Sequence, residues 1–269
     1  MERKPVDTII LSDLHLGSDL SRAEDAVRML KQYSFRRLIL LGDIFCDLNF
    51  ARLKKEHWRL LSYIRKLSNP KRGIEVVWVE GNHDRGLTHV MSHLVGVRVY
   101  QQYSWQFGAH KCLAIHGHQF DRFVVNNEFL STFGAWIYLL LQKMDLSGKH
   151  LSRFLDRLNS AWLRLTTKVA SGALAYAKAH GADIVFCGHT HEAFQGETRG
   201  VSYYNTGCWI NSSPTYITVG EEGVQINVYE QRPDHRDTGE ERGEAAAEAL
   251  DFAFDTGLPG DGEYESIRC

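Results

Sequence analysis

Seven side chains of the kinds that ligate divalent cations close five short apolar runs in this 269-residue chain. Asp13 and His15 stand in Leu11-Ser12-Asp13-Leu14-His15, Asp43 in Leu41-Gly42-Asp43, and Asn82 in Gly81-Asn82-His83-Asp84. His116 opens His116-Gly117-His118, and His189 and His191 lie in Gly188-His189-Thr190-His191. Carboxylate, imidazole and amide oxygen together suit a pair of divalent cations that activates water. No single loop can surround two ions, so ligands must come from several segments. Asp13 and His15, two residues apart beyond a strand end, can turn toward one ion. Asp43, alone after its strand, is the natural carboxylate to bridge both. Asn82 adds a neutral oxygen, and the three later histidines complete two ligand sets. Taken singly each motif is weak, because a buried histidine is more often hydrogen-bonded in a core and an Asn or Asp often caps a helix or turn.

The elements that must position these residues are legible in the pattern of apolar runs. Residues 8–11, 37–41 and 75–79 are strand-length runs rich in Leu and β-branched residues, separated by helical stretches near 20–33 and 50–67. That β-α-β-α-β order implies a parallel sheet covered on both faces, with the ligands where strands give way to loops. After Gly96 the strands come closer together. Residues 97–100, 104–107 and 111–115 read as a meander with a turn at 107–110. Further strands are expected at 183–187, 193–198, 202–205, 215–219 and 224–229. The reading is an α/β fold of two packed mixed sheets with helices outside, formed by residues 1–230.

Residues 119–181 read as a helical insertion in which Lys and Arg outnumber Asp and Glu. From His150 to about Ala179, Leu151, Leu155, Leu158, Trp162, Leu165, Val169 and Tyr176 recur at helical spacing. Arg153, Arg157, Arg164 and Lys168 follow the same period and form a basic stripe beside that apolar face. Core packing with a solvated charged face explains such a helix; a lid offering cations to a phosphorylated or membrane-associated substrate explains it as well.

Net charge is −2, but residues 231–269 carry 11 acidic against 4 basic residues. That segment reads as an acidic, disordered tail. The five cysteines are scattered without a C-x-x-C pair, which argues against a disulfide framework or a zinc knuckle. The longest apolar cluster, 135–141, is too short to span a bilayer, and residues 1–7 offer no signal-like hydrophobic region. A cytoplasmic protein is expected, with room for peripheral contact at the inner membrane face through the lid. Nucleic acid is disfavoured as a partner, since no long basic run with interleaved aromatics lies outside the insertion.

The order D-x-H, G-D, G-N-H-D, H-G-H and G-H-T-H resembles the calcineurin-like metallophosphoesterases from about Asp7 to Tyr229. That resemblance implies a four-layer α/β/β/α sandwich with a dinuclear centre at the sheet edges. It implies that Asp13, His15, Asp43 and His191 hold one ion while Asp43, Asn82, His116 and His189 hold the other. With the ions roughly 3.5–4 Å apart, a metal-bridging hydroxide attacks phosphorus. His83 resembles the family's catalytic histidine near the metals, and Asp84 is expected to orient its ring. The insertion and the segment Gly200 to Trp209 are similar to the branch containing the UDP-2,3-diacylglucosamine hydrolases, which cut a pyrophosphate bond in lipid A synthesis. The chain departs from that branch at His83, where Arg is usual, and at His118, where Asp is usual. Gln119-Phe120-Asp121-Arg122 also does not match its acid-rich segment.

Two divalent ions are therefore expected as cofactors, Mn first, with Fe, Zn or Mg compatible with the same donors. The expected substrate is a phosphorylated small molecule or a lipid-linked diphosphate, with Arg153, Arg157, Arg164, Lys168 and His118 as substrate-binding candidates. A phosphodiesterase or phosphomonoesterase acting on soluble nucleotides, protein or nucleic acid is the second reading. A scaffold that keeps the fold without the chemistry is the third, and the complete ligand set argues against it.

Overall fold

The computed structural model describes residues 3–87, 91, 93, 95–121 and 165–230. The chain divides into two units, Met1–Glu230 and Gln231–Cys269, of which the second lies outside the described residues. So do Arg153, Arg157, Arg164 and the apolar run 129–141.

In chain order the elements are β1 (Lys4–Pro5), β2 (Thr8–Leu11), α1 (Ala23–Lys31), β3 (Tyr33–Ser34), β4 (Arg37–Leu41), α2 (Lys55–Leu67), β5 (Glu75–Val79) and β6 (Val99–Tyr100). They continue with β7 (Tyr103–Phe107), β8 (His110–Ala114), a helix α3 over 165–179, and β9 (Ile184–Cys187). β10 (Ala193–Thr198), β11 (Val201–Thr206), β12 (Thr215–Gly220) and β13 (Gly223–Val228) complete the unit. Six strands form one sheet in the order β13-β12-β2-β4-β5-β6, five form a second in the order β10-β11-β9-β8-β7, and β1 pairs with β3.

Side-chain alternation along the strands builds the layers. In β2 and β4, Ile9, Leu11, Leu38 and Leu40 join Trp78 of β5 in a core with Met29 and Leu30 of α1 and Leu60 and Ile64 of α2. The intervening Ile10, Ile39, Leu41, Val77 and Val79 point the other way and meet Trp105, Cys112, Ala114, Ile184 and Phe186 of the second sheet. Leu113, Val185 and Cys187 alternate outward again, onto Ala170, Ala173 and Ala177 of α3. Three apolar cores thus separate four layers: helices, sheet, sheet, helix. Continuous apolar strands are required because both faces of each central strand are covered.

The part of the insertion described here, α3, is the fourth layer. Val169, Ala173 and Ala177 are fully buried at helical spacing, and the small alanines let the helix lie close to the sheet. No helix among the described residues is long and apolar enough to cross a membrane.

Two expectations are corrected. Residues 97–100 do not open a meander with the strands that follow. Only Val99–Tyr100 is extended, and it pairs in parallel with Trp78 and Val79 of β5, so β6 ends the first sheet while β7 and β8 form a hairpin in the second. The helical stretch 50–67 is broken near its start. Asn49 caps a short 3-10 turn, Phe50–Arg52, by accepting from the Ala51 N–H, and Leu53 is extended, so α2 begins at Lys55.

Phe186 fills the space between the sheets, stacked on Trp105 at 5.4 Å and on Tyr204 at 5.7 Å between ring centroids. Truncation to Phe186→Ala is expected to destabilise the fold by about 3–5 kcal/mol, read as a shift of the urea midpoint. A loss below about 1 kcal/mol would mean that the sheets do not depend on this contact.

Candidate metal centre

The ends of β2 and β4 keep hydrogen-bonding to one another beyond the regular strands. The Asp13 N–H donates to Gly42 O at 3.0 Å, the His15 N–H to Asp43 O at 3.1 Å and the Leu16 N–H to Ile44 O at 2.7 Å. To make these bonds while turning their side chains to one side, the residues leave ordinary backbone space. Among the described residues six non-glycines have positive φ, and five of them are Asp13 (51°), His15 (45°), Asp43 (50°), His189 (69°) and His191 (57°). Left-handed backbone costs a non-glycine residue on the order of 1–3 kcal/mol and persists only where the surroundings enforce it. Here that strain coincides with the residues singled out for chemistry.

Two triads result: Asp13, His15 and His191 in one, Asp43, His116 and His189 in the other. Within each, the candidate donor atoms lie within 4.8 Å of one another. Asp13 Oδ1 lies 3.2 Å from His191 Nε2 and 3.9 Å from His15 Nε2. Asp43 Oδ2 lies 3.3 Å from His116 Nε2 and 3.9 Å from His83 Nε2. Asp13 Oδ1, Asn82 Oδ1 and His116 Nε2 are buried and accept or donate no hydrogen bond. Buried polar atoms are normally paired, and a convergent set of oxygen and imidazole donors left without hydrogen bonds fits divalent cations.

The second oxygen of each carboxylate is taken up by the protein, which fixes its orientation. Asp13 Oδ2 accepts from the Ser12 hydroxyl and from the His189 N–H at 3.1 Å, so one triad's carboxylate anchors the other triad's loop. Asp43 Oδ1 accepts from the His83 N–H at 2.9 Å. A Cβ on Gly81 would lie 2.2 Å from Asp43 N and Oδ1, so only glycine lets these loops approach so closely. Asn205 holds the loop of the last two histidines by donating from Nδ2 to Gly188 O at 2.7 Å and Thr190 Oγ1 at 3.1 Å.

Asp84 does not serve the His83 ring. Its buried carboxylate accepts from the N–H groups of Ile44 (3.2 Å), Phe45 (3.1 Å) and Gly81 (3.3 Å) and from the Trp78 indole (3.4 Å), which ties the Asp43 loop to the Asn82 loop. His83 is a quarter exposed at the side chain and packs edge-on to His15 at 5.3 Å between centroids. His118 is buried beside the ligand candidates, 5.5 Å from His116 and 6.3 Å from His189 between ring centroids. Lys168 is exposed on α3. Ser12, Asn205 and Asp121, whose Oδ2 lies 3.5 Å from His189 Nε2, were not singled out by spacing. The adjacency of Ser12 to Asp13 and the HxxxxD interval from His116 to Asp121 are the only local signals of them.

Electrostatics agree with the geometry. Burial penalises the Asp43 charge, yet His116, His83 and His15 outweigh it and hold the carboxyl well below its usual range. Burial likewise opposes charge on His116, but Asp43 and Asp13 beside it push the imidazole up to about 9. His191 is raised by Asp13 against the same burial. Burial, reinforced by His191, lowers His15 to about 4; burial, with His116 and His189, lowers His118 to about 3.

Fold and site together define a two-sheet sandwich that gathers carboxylate and imidazole groups at the ends of its central strands, an arrangement that supports a metal-dependent phosphoester hydrolase. Residues 7–220 match the calcineurin-like phosphoesterase superfamily domain, and the chain belongs to that superfamily. Among solved structures it is similar to Yfce, a phosphoesterase from E. coli, at 13% identity and a TM-score of 0.48, covering 84% of this chain and 97% of that one. It is similar to vacuolar protein sorting 29 from Cryptosporidium parvum at 16% identity and a TM-score of 0.45, over 84% and 92% of the two chains. A novel archaeal phosphodiesterase aligns at 16% identity and a TM-score of 0.45, over 82% and 99%. No curated protein sequence matches the chain.

Because His116 and His191 are raised by their carboxylate partners, a cation entering either triad must displace a proton. Metal affinity is therefore expected to rise with pH between 6 and about 9, by about tenfold per unit for each proton displaced. Calorimetric titrations in buffers of different ionisation enthalpy should show one to two protons released, on the order of one per triad. Binding that is independent of both pH and buffer would contradict the assignment.

Proposed function

We propose that the chain is a hydrolase of phosphoester or pyrophosphate bonds that works with two divalent cations. One is held by Asp13, His15, Asp43 and His191, the other by Asp43, Asn82, His116 and His189. The observation that carries this reading is the set of buried donor atoms without hydrogen bonds around Asp13 and Asp43. Two such cations, when bound, supply a nucleophile at neutral pH and neutralise phosphoryl oxygens. Manganese is the first choice for this mixed oxygen and nitrogen set.

The protein's own groups do the rest. Asp43 and Asp13 keep their free oxygens aimed at the histidines because Ser12 and the His83 and His189 N–H groups hold the opposite oxygens. His83, part-exposed with Nε2 3.9 Å from Asp43 Oδ2, is placed to hydrogen-bond a phosphoryl oxygen or to protonate the leaving oxygen. His118, neutral and buried beside His116 and His189, packs against these ligands. The substrate is a nucleotide- or lipid-linked diphosphate of the UDP-2,3-diacylglucosamine kind, the class suggested by the helical insertion and by the segment 200–209. In this reading Lys168, with Arg153, Arg157 and Arg164, contributes cations toward the substrate, and the same insertion gives peripheral contact with a membrane.

The test is Mn-dependent turnover of bis-p-nitrophenyl phosphate, p-nitrophenyl phosphate and a UDP-linked diacylated glucosamine in detergent. Cleavage of the lipid-linked diphosphate well above the other two is expected. Preference for a small diester or monoester would replace the substrate class, and a protein that loads two metals yet cleaves none would contradict the hydrolase. His83→Ala should lower kcat by roughly 10²–10⁴-fold with metal content unchanged; unchanged kcat would remove His83 from the chemistry.

A further inference from the structure

A buried imidazole that gives one ring nitrogen to a cation leaves its other N–H in need of an acceptor. His116 meets this requirement through the main chain: its Nδ1 is 2.8 Å from Leu41 O, while Nε2 lies 3.3 Å from Asp43 Oδ2. In His189, Nε2 is buried, makes no hydrogen bond, and lies 3.5 Å from Oδ2 of Asp121. The His189 backbone is fixed at φ 69° with its N–H on Asp13 Oδ2, so the ring is held beside that carboxylate.

Asp121 is only 1% exposed. It follows the 3-10 turn His118–Phe120 that leaves the His116 loop, and its N–H donates to His118 O at 3.1 Å. A carboxylate buried so deeply is tolerated where donors or cations surround it. Against it lies a ring nitrogen of a candidate ligand.

We infer that Asp121 is a positioning residue for the second cation: it accepts from Nε2–H of His189 and so fixes the tautomer in which Nδ1 is the ligating nitrogen. This rests on the dinuclear site proposed above. A closing of about 0.3 Å brings Nε2 and Oδ2 into hydrogen-bond range. The pair then repeats with a side chain what His116 does with Leu41 O. Carboxylate partners of this kind orient ligating imidazoles and raise their basicity, and their loss weakens metal affinity by 10–100-fold on the order seen for such partners.

Calorimetric Mn titration of the full-length wild type, D121A and D121N reads the effect on binding, with melting of the metal-free proteins as the check on folding. The wild type is expected to take up two cations. D121A should keep the first affinity and lose about 10–100-fold in the second, whereas D121N, whose amide oxygen still accepts from Nε2–H, should retain most of it. D121A binding two cations as the wild type does would overturn this inference alone. A wild type that takes up fewer than two would sink the proposed function and this inference with it. Should D121A fail to fold, long-range proton–nitrogen correlation on Zn-loaded wild type decides the matter, with the His189 signals assigned through His189→Gln. A proton on Nε2 with a metal-bound Nδ1 supports the pair, and a metal-bound Nε2 overturns it.

Discussion

Everything in this fold that bears on chemistry depends on keeping the Asp43 carboxylate ionised while it is almost completely buried. Burial opposes that charge, and three imidazoles, from His116, His83 and His15, offset it. Removing one partner from a buried charge pair typically costs about 3–5 kcal/mol, so Asp43 and its neighbours are bound to one another energetically as well as geometrically. These three histidines arrive from three separate loops, and the loops must close on a single point. That requirement explains the close packing at these strand ends, where Gly81 meets Asp43 and a Cβ on Gly42 would lie 2.3 Å from Nδ1 of His116.

Strain is concentrated at the same point. The cores above and below the sheets, with Trp78, Phe45 and Trp209 on one side and Phe186 and Trp105 on the other, hold β2, β4, β8 and β9 rigidly in register. The strands can therefore impose left-handed backbone on the five residues at their ends. Asp84 and Asn205 complete the work by cross-linking the loops through main-chain groups. Rigid strands with strained ends are a way to fix donor atoms before a ligand arrives, which removes reorganisation from the binding step.

The strands that carry the site were legible because each is short, apolar and buried on both faces. Runs at 8–11, 37–41 and 75–79 coincide with β2, β4 and β5. The turn of Asp13 and His15 toward one point was legible from residue type at a strand end, whereas the allotment of His116, His189 and His191 came from the resemblance to the calcineurin-like family. The structure groups Asp13 with His15 and His191, and Asp43 with His116 and His189. What escaped the sequence depends on contacts between distant segments. Asp84 looks like a partner for its neighbour His83, yet its oxygens find N–H groups 39 and 40 residues away. Val99 and Tyr100 look like the start of a meander, but pair with β5 because two further glutamines are enough to carry the chain to the other sheet. His118 reads as a substrate contact from its place beside His116, and the structure keeps it buried at the start of a 3-10 turn with its ring 5.5 Å from that of His116.

The central claim is that one carboxylate is shared by two cations. Crystals grown with Mn and measured at the manganese absorption edge test it directly. The expected result is two anomalous peaks roughly 3.5–4 Å apart, flanking the Asp43 carboxylate, one beside Asp13, His15 and His191 and the other beside Asn82, His116 and His189. A single peak, or two peaks that do not share Asp43, would contradict the account.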